Sequence, residues 1–260
     1  MVDIVIRKYT NRKEVNIMKE VNTMKESLYI VMPAYNEEAN IEDTVKSWYS
    51  VIEKFGNEKS KLVIFNDGSK DNTGKKGKQL MEKYPKFEMI DKPNSGHGPT
   101  VIYAYDYAIN AGADYVFQTD SDGQTNPLEF EAFWNMRNSY DGIFGVRSER
   151  GDGKDRAFVE KVVCFLLRLY FGVKVPDANA PFRLMKASIL KKYLEKLPKD
   201  YNLPNIMLTT YYAYYKEKMK FIEISFKPRT AGTNSINIKK IVKIGWKALG
   251  DFRRLKKGMK

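Results

Sequence analysis

From Leu28 onward, short apolar runs alternate with amphipathic stretches. Leu28 to Met32 is an unbroken apolar run stopped by Pro33, which predicts a buried strand. Between Glu37 and about Phe55, the residues Ile41, Val45, Trp48, Ile52 and Phe55 recur at the spacing of a helix with one buried face. Leu62–Phe65, Phe87–Ile90 and Tyr115–Thr119 predict three more strands, separated by a polar helix ending near Tyr84 and a helix over about Pro99–Asn110. Past Asp141 the pattern loosens into a strand at Ile143–Val146, a helix from about Phe158 to Phe171, a helical pair within Ala187–Lys218 and a late strand at Phe221–Ile224. Repeated strand, loop and helix units predict an α/β domain with a mostly parallel central sheet flanked by helices. Such sheets bind ligands at the carboxyl ends of their strands. With no internal repeat and no Pro- or Gly-rich linker, one domain is expected over residues 27–235. A poorly ordered polar extension at 1–26 is expected before it, and a C-terminal helix at 236–260 after it.

Composition excludes several classes. At 43% hydrophobic over 260 residues, the chain can bury a core. Its single Cys cannot close an internal disulfide, and one Cys with one His cannot build a zinc site from those ligands. A metal would therefore be held by oxygen, which favours Mg2+ or Mn2+. The longest apolar runs fall far short of the ~18 residues of a membrane span. The first residues carry charges every few positions and do not read as a secretory signal, so a reducing, cytoplasmic location is expected.

The formal net charge of +13 is unevenly spread. Residues 236–260 hold 9 basic and 1 acidic group, whereas Leu28 to Ser235 hold 30 and 27. Ile238, Ile241, Val242, Ile244, Trp246, Leu249, Phe252 and Leu255 are interleaved with those cations, giving a basic amphipathic helix. It suits either an anionic membrane surface or packing on the domain with its charges in water. No nucleic-acid motif accompanies the charge, so no nucleic-acid partner is expected.

Four polar loops fall at predicted strand ends. Pro33-Ala34-Tyr35-Asn36-Glu37 follows the first strand and Asn66-Asp67-Gly68-Ser69 the second, while Asn94-Ser95-Gly96-His97-Gly98 follows the third and Asp120-Ser121-Asp122-Gly123-Gln124 the fourth. Asp120 and Asp122 flank one residue on a turning loop, where two carboxylates can reach one hard cation. Gly96-His97-Gly98 opens a helix, where backbone N–H groups can meet a phosphate or simply make a tight turn. Arg147, Arg183 and Arg229 each follow a strand or loop of the second half and suit bidentate phosphate capture.

Taken together and in order, these motifs resemble family 2 inverting glycosyltransferases, most of all the dolichyl-phosphate or polyprenyl-phosphate sugar synthase group. Gly145-Val146-Arg147, Asp177-Ala178-Asn179-Ala180-Pro181-Phe182-Arg183 and Arg229-Thr230-Ala231-Gly232 continue the match. The resemblance implies a GT-A type nucleotide-diphospho-sugar-binding fold and a UDP- or GDP-sugar donor. It further implies donor contacts from Pro33, Ala34, Tyr35, Glu37, Asp67, Gly96, His97, Gly98, Asp120, Ser121, Asp122 and Gln124. Asp120 and Asp122 would hold Mg2+ or Mn2+ on the diphosphate, which a metal would neutralise as a Lewis acid.

The acceptor decides which further groups are needed. A lipid phosphate is already an anion and needs cations to position it, for which Arg147, Arg183 and Arg229 are the candidates. A glycan or lipid-linked saccharide hydroxyl needs a general base, and Asp177 is the nominee. Asn179-Ala180-Pro181 departs from the Ser/Ala-Gly element that the lipid-phosphate group carries before Phe-Arg, so both acceptors stay open. The Gln-x-x-Arg-Trp signature of processive synthases is absent, as is a Glu-Asp pair in the second half of the chain. The expected enzyme is a metal-dependent hexosyltransferase, peripheral on the inner face of the cell membrane.

Overall fold

A computed structural model describes residues 26–150, 154–228 and 250–259. A seven-stranded sheet is built from β1 (Leu28–Ala34), β2 (Lys61–Asp67), β3 (Phe87–Lys92), β4 (Tyr115–Thr119), β5 (Gly142–Arg150), β6 (Phe182–Lys186) and β7 (Met219–Phe226), in the order β3-β2-β1-β4-β6-β5-β7. The helices are α1 (Ile41–Phe55), α2 (Thr73–Met81), α3 (His97–Asn110), α4 (Phe130–Met136), α5 (Lys154–Phe171), α6 (Ala187–Leu194) and α7 (Pro204–Tyr214), with a further helix, α8, over residues 250–257.

The strands β1, β2 and β4 are buried on both faces because they carry apolar side chains at successive positions. Along β1, Leu28, Ile30, Met32 and Ala34 join one core with Trp48 of α1 and Phe130, Phe133 and Trp134 of α4. Tyr29 and Val31 point the other way, into a core shared with α3, α5, α6 and α7. Tyr193, Tyr211 and Tyr212 are buried there and in ring contact, so the tyrosine cluster of α7 is packing.

Three boundaries differ from the sequence reading. β1 runs through Pro33, at a point where pairing with β4 has ended at Val31 and only β2 remains alongside. α4 was not anticipated. Neither was β6, which lies between β4 and β5 and is antiparallel to both. β5 is therefore parallel to β4 in direction, and β7 pairs parallel to β5. The loop entering β6 thus reaches the same sheet edge as the loops leaving β1 to β5.

The expected extension at 1–26 lies outside the described residues except for Glu26, which pairs with Arg137 at 2.6 Å. Most of the expected basic helix at 236–260 also lies outside them. In its described part, Phe252, Leu255 and Met259 are buried, Phe252 against Tyr170 and Phe171, and the Tyr215 hydroxyl donates to the Met259 carbonyl. That end packs on the domain, so a membrane-facing role for this helix is not supported. Among the described residues no helix is long and apolar enough to cross a membrane.

Candidate active site

Two loops form one side of the open edge. After β1, Asn36 takes a positive φ of 56°, its amide donates to Ser69 Oγ, and its side-chain oxygen accepts from the Lys70 amide. Asn tolerates this left-handed conformation better than most residues. Glu37 is buried, with its amide on Thr73 Oγ1 at 2.8 Å and its carboxylate accepting from Asn40. Pro33 and Ala34 close β1, and Tyr35 stands partly exposed beyond them.

Asp67 ends β2 and is buried. Its carboxylate accepts from Lys92 Nζ, the Ser95 amide (2.8 Å) and the Gly96 amide (2.9 Å). Burial alone would raise its pKa, but Lys92 and these amides outweigh it and hold the acid below the usual carboxylate range. Asp67, expected among the donor contacts, fixes the loop that opens α3. Gly96 has φ 92°, and a Cβ on Gly98 would fall 2.5 Å from the carbonyl oxygens of Tyr201 and Asn202. Gly98 is therefore required by close backbone approach, while His97 between the two glycines is exposed.

The Asp120–Asp122 loop is clamped from behind. Ser121 is buried and donates to the Pro33 carbonyl at 2.8 Å, and its own carbonyl accepts from Thr44 of α1. Asp120 and Asp122 on either side of it are half-buried. Gln118 donates to Asp120 at 3.1 Å and is itself held by Asn205, which accepts from Tyr105. Asp122 accepts from the Gln124 amide, and the Gln124 side chain donates to the Lys227 carbonyl at 2.7 Å.

Two oriented, half-buried carboxylates suit a hard divalent cation. Among the described residues no group of three or more His, Cys, Asp or Glu could enclose one. A cation here would complete its shell with diphosphate oxygens and water, as Mg2+ commonly does.

The other side of the edge holds a compact charged cluster. Arg147 of β5 binds Asp177 through Nε (2.8 Å) and Nη2 (2.9 Å), and reaches Glu160 of α5 at 3.4 Å. The Asp177 carboxylate also accepts from the Asn179 amide, and Glu160 accepts from the Ala178 amide at 2.8 Å. Burial pushes on both acids, but Arg147 prevails at Asp177 and holds its pKa low. Glu160 is pushed up by burial and by the Asp177 charge beside it.

Arg183, expected to face the acceptor, is instead fully buried on β6. Its guanidinium donates to the carbonyls of Ala178, Ala180 and Asn205 and lies 5.3 Å from the Phe144 ring. Arg229 lies outside the described residues. The sequence reading passed over Lys92, Glu160 and the Gln118–Asn205 pair. A Lys at the carboxyl end of a strand was a usable signal for the first, whereas a buried Glu on an amphipathic helix looks like any solvated one.

The sequence profile described as Glycosyl transferase family 2 matches residues 29–194. An uncharacterised glycosyltransferase of Synechocystis is 27% identical over 221 residues, covering 82% of this chain and 65% of that protein. The undecaprenyl-phosphate 4-deoxy-4-formamido-L-arabinose transferase of Shewanella sediminis is 27% identical over 64% of this chain and 50% of its own length. A dolichyl-phosphate beta-glucosyltransferase of Trichomonas vaginalis is 24% identical over 85% and 72%. The chain thus spans half to about three quarters of these relatives. Among solved structures, glucosyl-3-phosphoglycerate synthase of Mycobacterium tuberculosis, in complex with Mn2+ and UDP-glucose, superposes with a TM-score of 0.63 at 18% identity. It covers 89% of this chain and 79% of that one, and the shared fold is of the GT-A type.

Proposed function

The chain belongs to glycosyl transferase family 2, and from that premise we propose that it is an inverting transferase moving a sugar from a UDP- or GDP-sugar to a polyprenyl phosphate at the cytoplasmic membrane face. The observation that carries the acceptor choice is the state of Asp177. A general base must take a proton, and a carboxylate held by two bonds to Arg147 and kept at a low pKa is poorly suited to that. A phosphate acceptor needs no such base. Relatives named for undecaprenyl- and dolichyl-phosphate transfer support the same choice.

In this reading the Pro33–Glu37 and Asp67–Ser69 loops cradle the nucleoside, and Gly96-His97-Gly98 closes over it. Asp120 and Asp122, oriented by Gln118 and Gln124, hold Mg2+ or Mn2+. When bound, the cation neutralises charge developing on the departing nucleoside diphosphate. Arg147 steadies the acceptor phosphate, whose oxygen attacks the anomeric carbon from the face opposite the leaving group. Asp177 and Glu160 set the Arg147 guanidinium, and Arg183 holds the 178–180 turn beneath it.

A donor panel of UDP- and GDP-sugars with Mg2+ or Mn2+, read as nucleotide release, tests the proposal. Release stimulated by a short polyprenyl phosphate is expected. Release stimulated only by saccharide hydroxyls would overturn it in favour of hydroxyl transfer with Asp177 as base.

A further inference from the structure

Among the described residues, helix α5 presents an unpartnered apolar stripe. Phe158, Val162, Phe165 and Leu169 are 68%, 39%, 64% and 68% exposed. At 100° per residue, their spacing places all four within about 60° of one another around the helix axis. Exposed Lys161 and Arg168 run along one edge of the stripe, and exposed Lys174 follows the helix. Over residues 158–174 the one acidic residue is Glu160, and it is turned inward onto Arg147 and the Ala178 amide. Leu167 and Phe171 lie on that same inner face, in the core.

We propose that the exposed face of α5 docks the protein on an anionic lipid surface, in the plane of the headgroups. The inference rests on the lipid-phosphate reading of the active site and assigns the membrane contact to α5 rather than to the C-terminal helix. Charge complementarity selects the occupant. A purely apolar stripe would suit a second copy of the chain equally well, but a stripe edged by cations, with no exposed acid over residues 158–174, matches an interfacial helix on anionic headgroups. The helix also links the two sites mechanically, because its outer face carries the stripe and its inner face holds Arg147 through Glu160. One helix diameter, roughly 10–12 Å, therefore separates the lipid surface from the guanidinium assigned to the acceptor phosphate.

The test uses the full chain with vesicles of phosphatidylcholine and about 30% phosphatidylglycerol, read by co-sedimentation. The variant carries Phe165→Glu and Leu169→Glu together, and both side chains are exposed, so an unchanged far-UV spectrum and melting temperature are expected. Vesicle partitioning should fall by at least about tenfold, since each side chain loses apolar burial and gains a repelled charge. The conservative pair Phe165→Leu and Leu169→Met should keep it. Nucleotide release with a short, water-soluble polyprenyl phosphate should stay within about twofold, while release with a long, vesicle-embedded one falls about tenfold or more. Partitioning unchanged by the charged variant would overturn the inference and leave the lipid-phosphate reading standing. So would a wild-type dimer that the variant converts to monomer, with neither binding vesicles. Partitioning lost in the variant, with no lipid phosphate accepted by the wild type, would uphold docking and refute the acceptor reading instead.

Discussion

Replacing Arg183 by Met separates a structural guanidinium from a catalytic one. Met keeps much of the aliphatic volume and removes every donor. Four hydrogen bonds are lost, two of them to Ala180 O. Ala178 O and Asn205 O each also accept from Thr209 Oγ1, at 3.0 and 2.9 Å, but that hydroxyl has one proton and serves one of them at a time. Asn205 O also keeps its α7 ladder bond from the Thr209 amide, which frees that hydroxyl for Ala178 O, so Ala180 O is the carbonyl left unsatisfied, at about 1–3 kcal/mol. Release of a buried charge offsets part of this. The net loss should be about 1–2 kcal/mol, or roughly 2–8 °C in melting temperature for a domain of this size. Differential scanning calorimetry and urea titration read the stability, and nucleotide release is normalised to folded protein. Turnover per folded molecule should stay within about threefold. A variant with unchanged melting temperature and turnover reduced by a hundredfold would refute the reasoning and return Arg183 to the acceptor.

Asp122→Ala should lower metal-dependent transfer at least about a hundredfold, equivalent to ~2.7 kcal/mol of transition-state stabilisation, with little change in melting temperature; an unaltered Mg2+ or Mn2+ titration would remove Asp122 from the metal site. Asp67 and Glu160 should give stability opposite dependences on pH. The folded pKa of Asp67 lies below its unfolded value, so its contribution is complete above about pH 5 and is lost as pH falls through the folded value. The folded pKa of Glu160 lies above its unfolded value, so its contribution is complete in acid and is lost as pH rises through the folded value. Urea midpoints should show a flattened acid limb for Asp67→Asn and a gain confined to neutral pH for Glu160→Gln; the reverse pattern would contradict both environments. Gly98→Ala should cost about 1–3 kcal/mol through overlap with the Tyr201 and Asn202 carbonyls, and a melting temperature equal to wild type would show that the approach relaxes freely.

The β1–β4 half of the fold was legible because β1, β2 and β4 are buried on both faces and so read as apolar runs, with polar loops marking each carboxyl end. β6 was hidden by Arg183, whose charge reads as a surface position although the side chain is fully buried among backbone carbonyls. α4 escaped because seven residues hold barely two turns, despite the spacing of Phe130, Phe133 and Trp134. Spacing along the chain drew attention to Asp120 and Asp122, and Glu37 entered through the family resemblance. Lys92 on Asp67 and Glu160 on Arg147 depend on contacts between distant segments, and no spacing along the chain encodes those.

The position of β6 has a consequence for assembly. β1 to β4 pair in the order 3-2-1-4 from segments that emerge in succession, so this half of the sheet can close on itself during synthesis. β5 emerges next but has no pairing with β4; among the described strands it joins the sheet through β6, by the pairs Gly142 with Met185, Ile143 with Leu184 and Phe144 with Arg183. β7 in turn attaches to β5. The strand that the sequence did not reveal is therefore the keystone of the β5–β7 half of the sheet. Until it seats, neither β5 nor β7 has a strand of the first half to join.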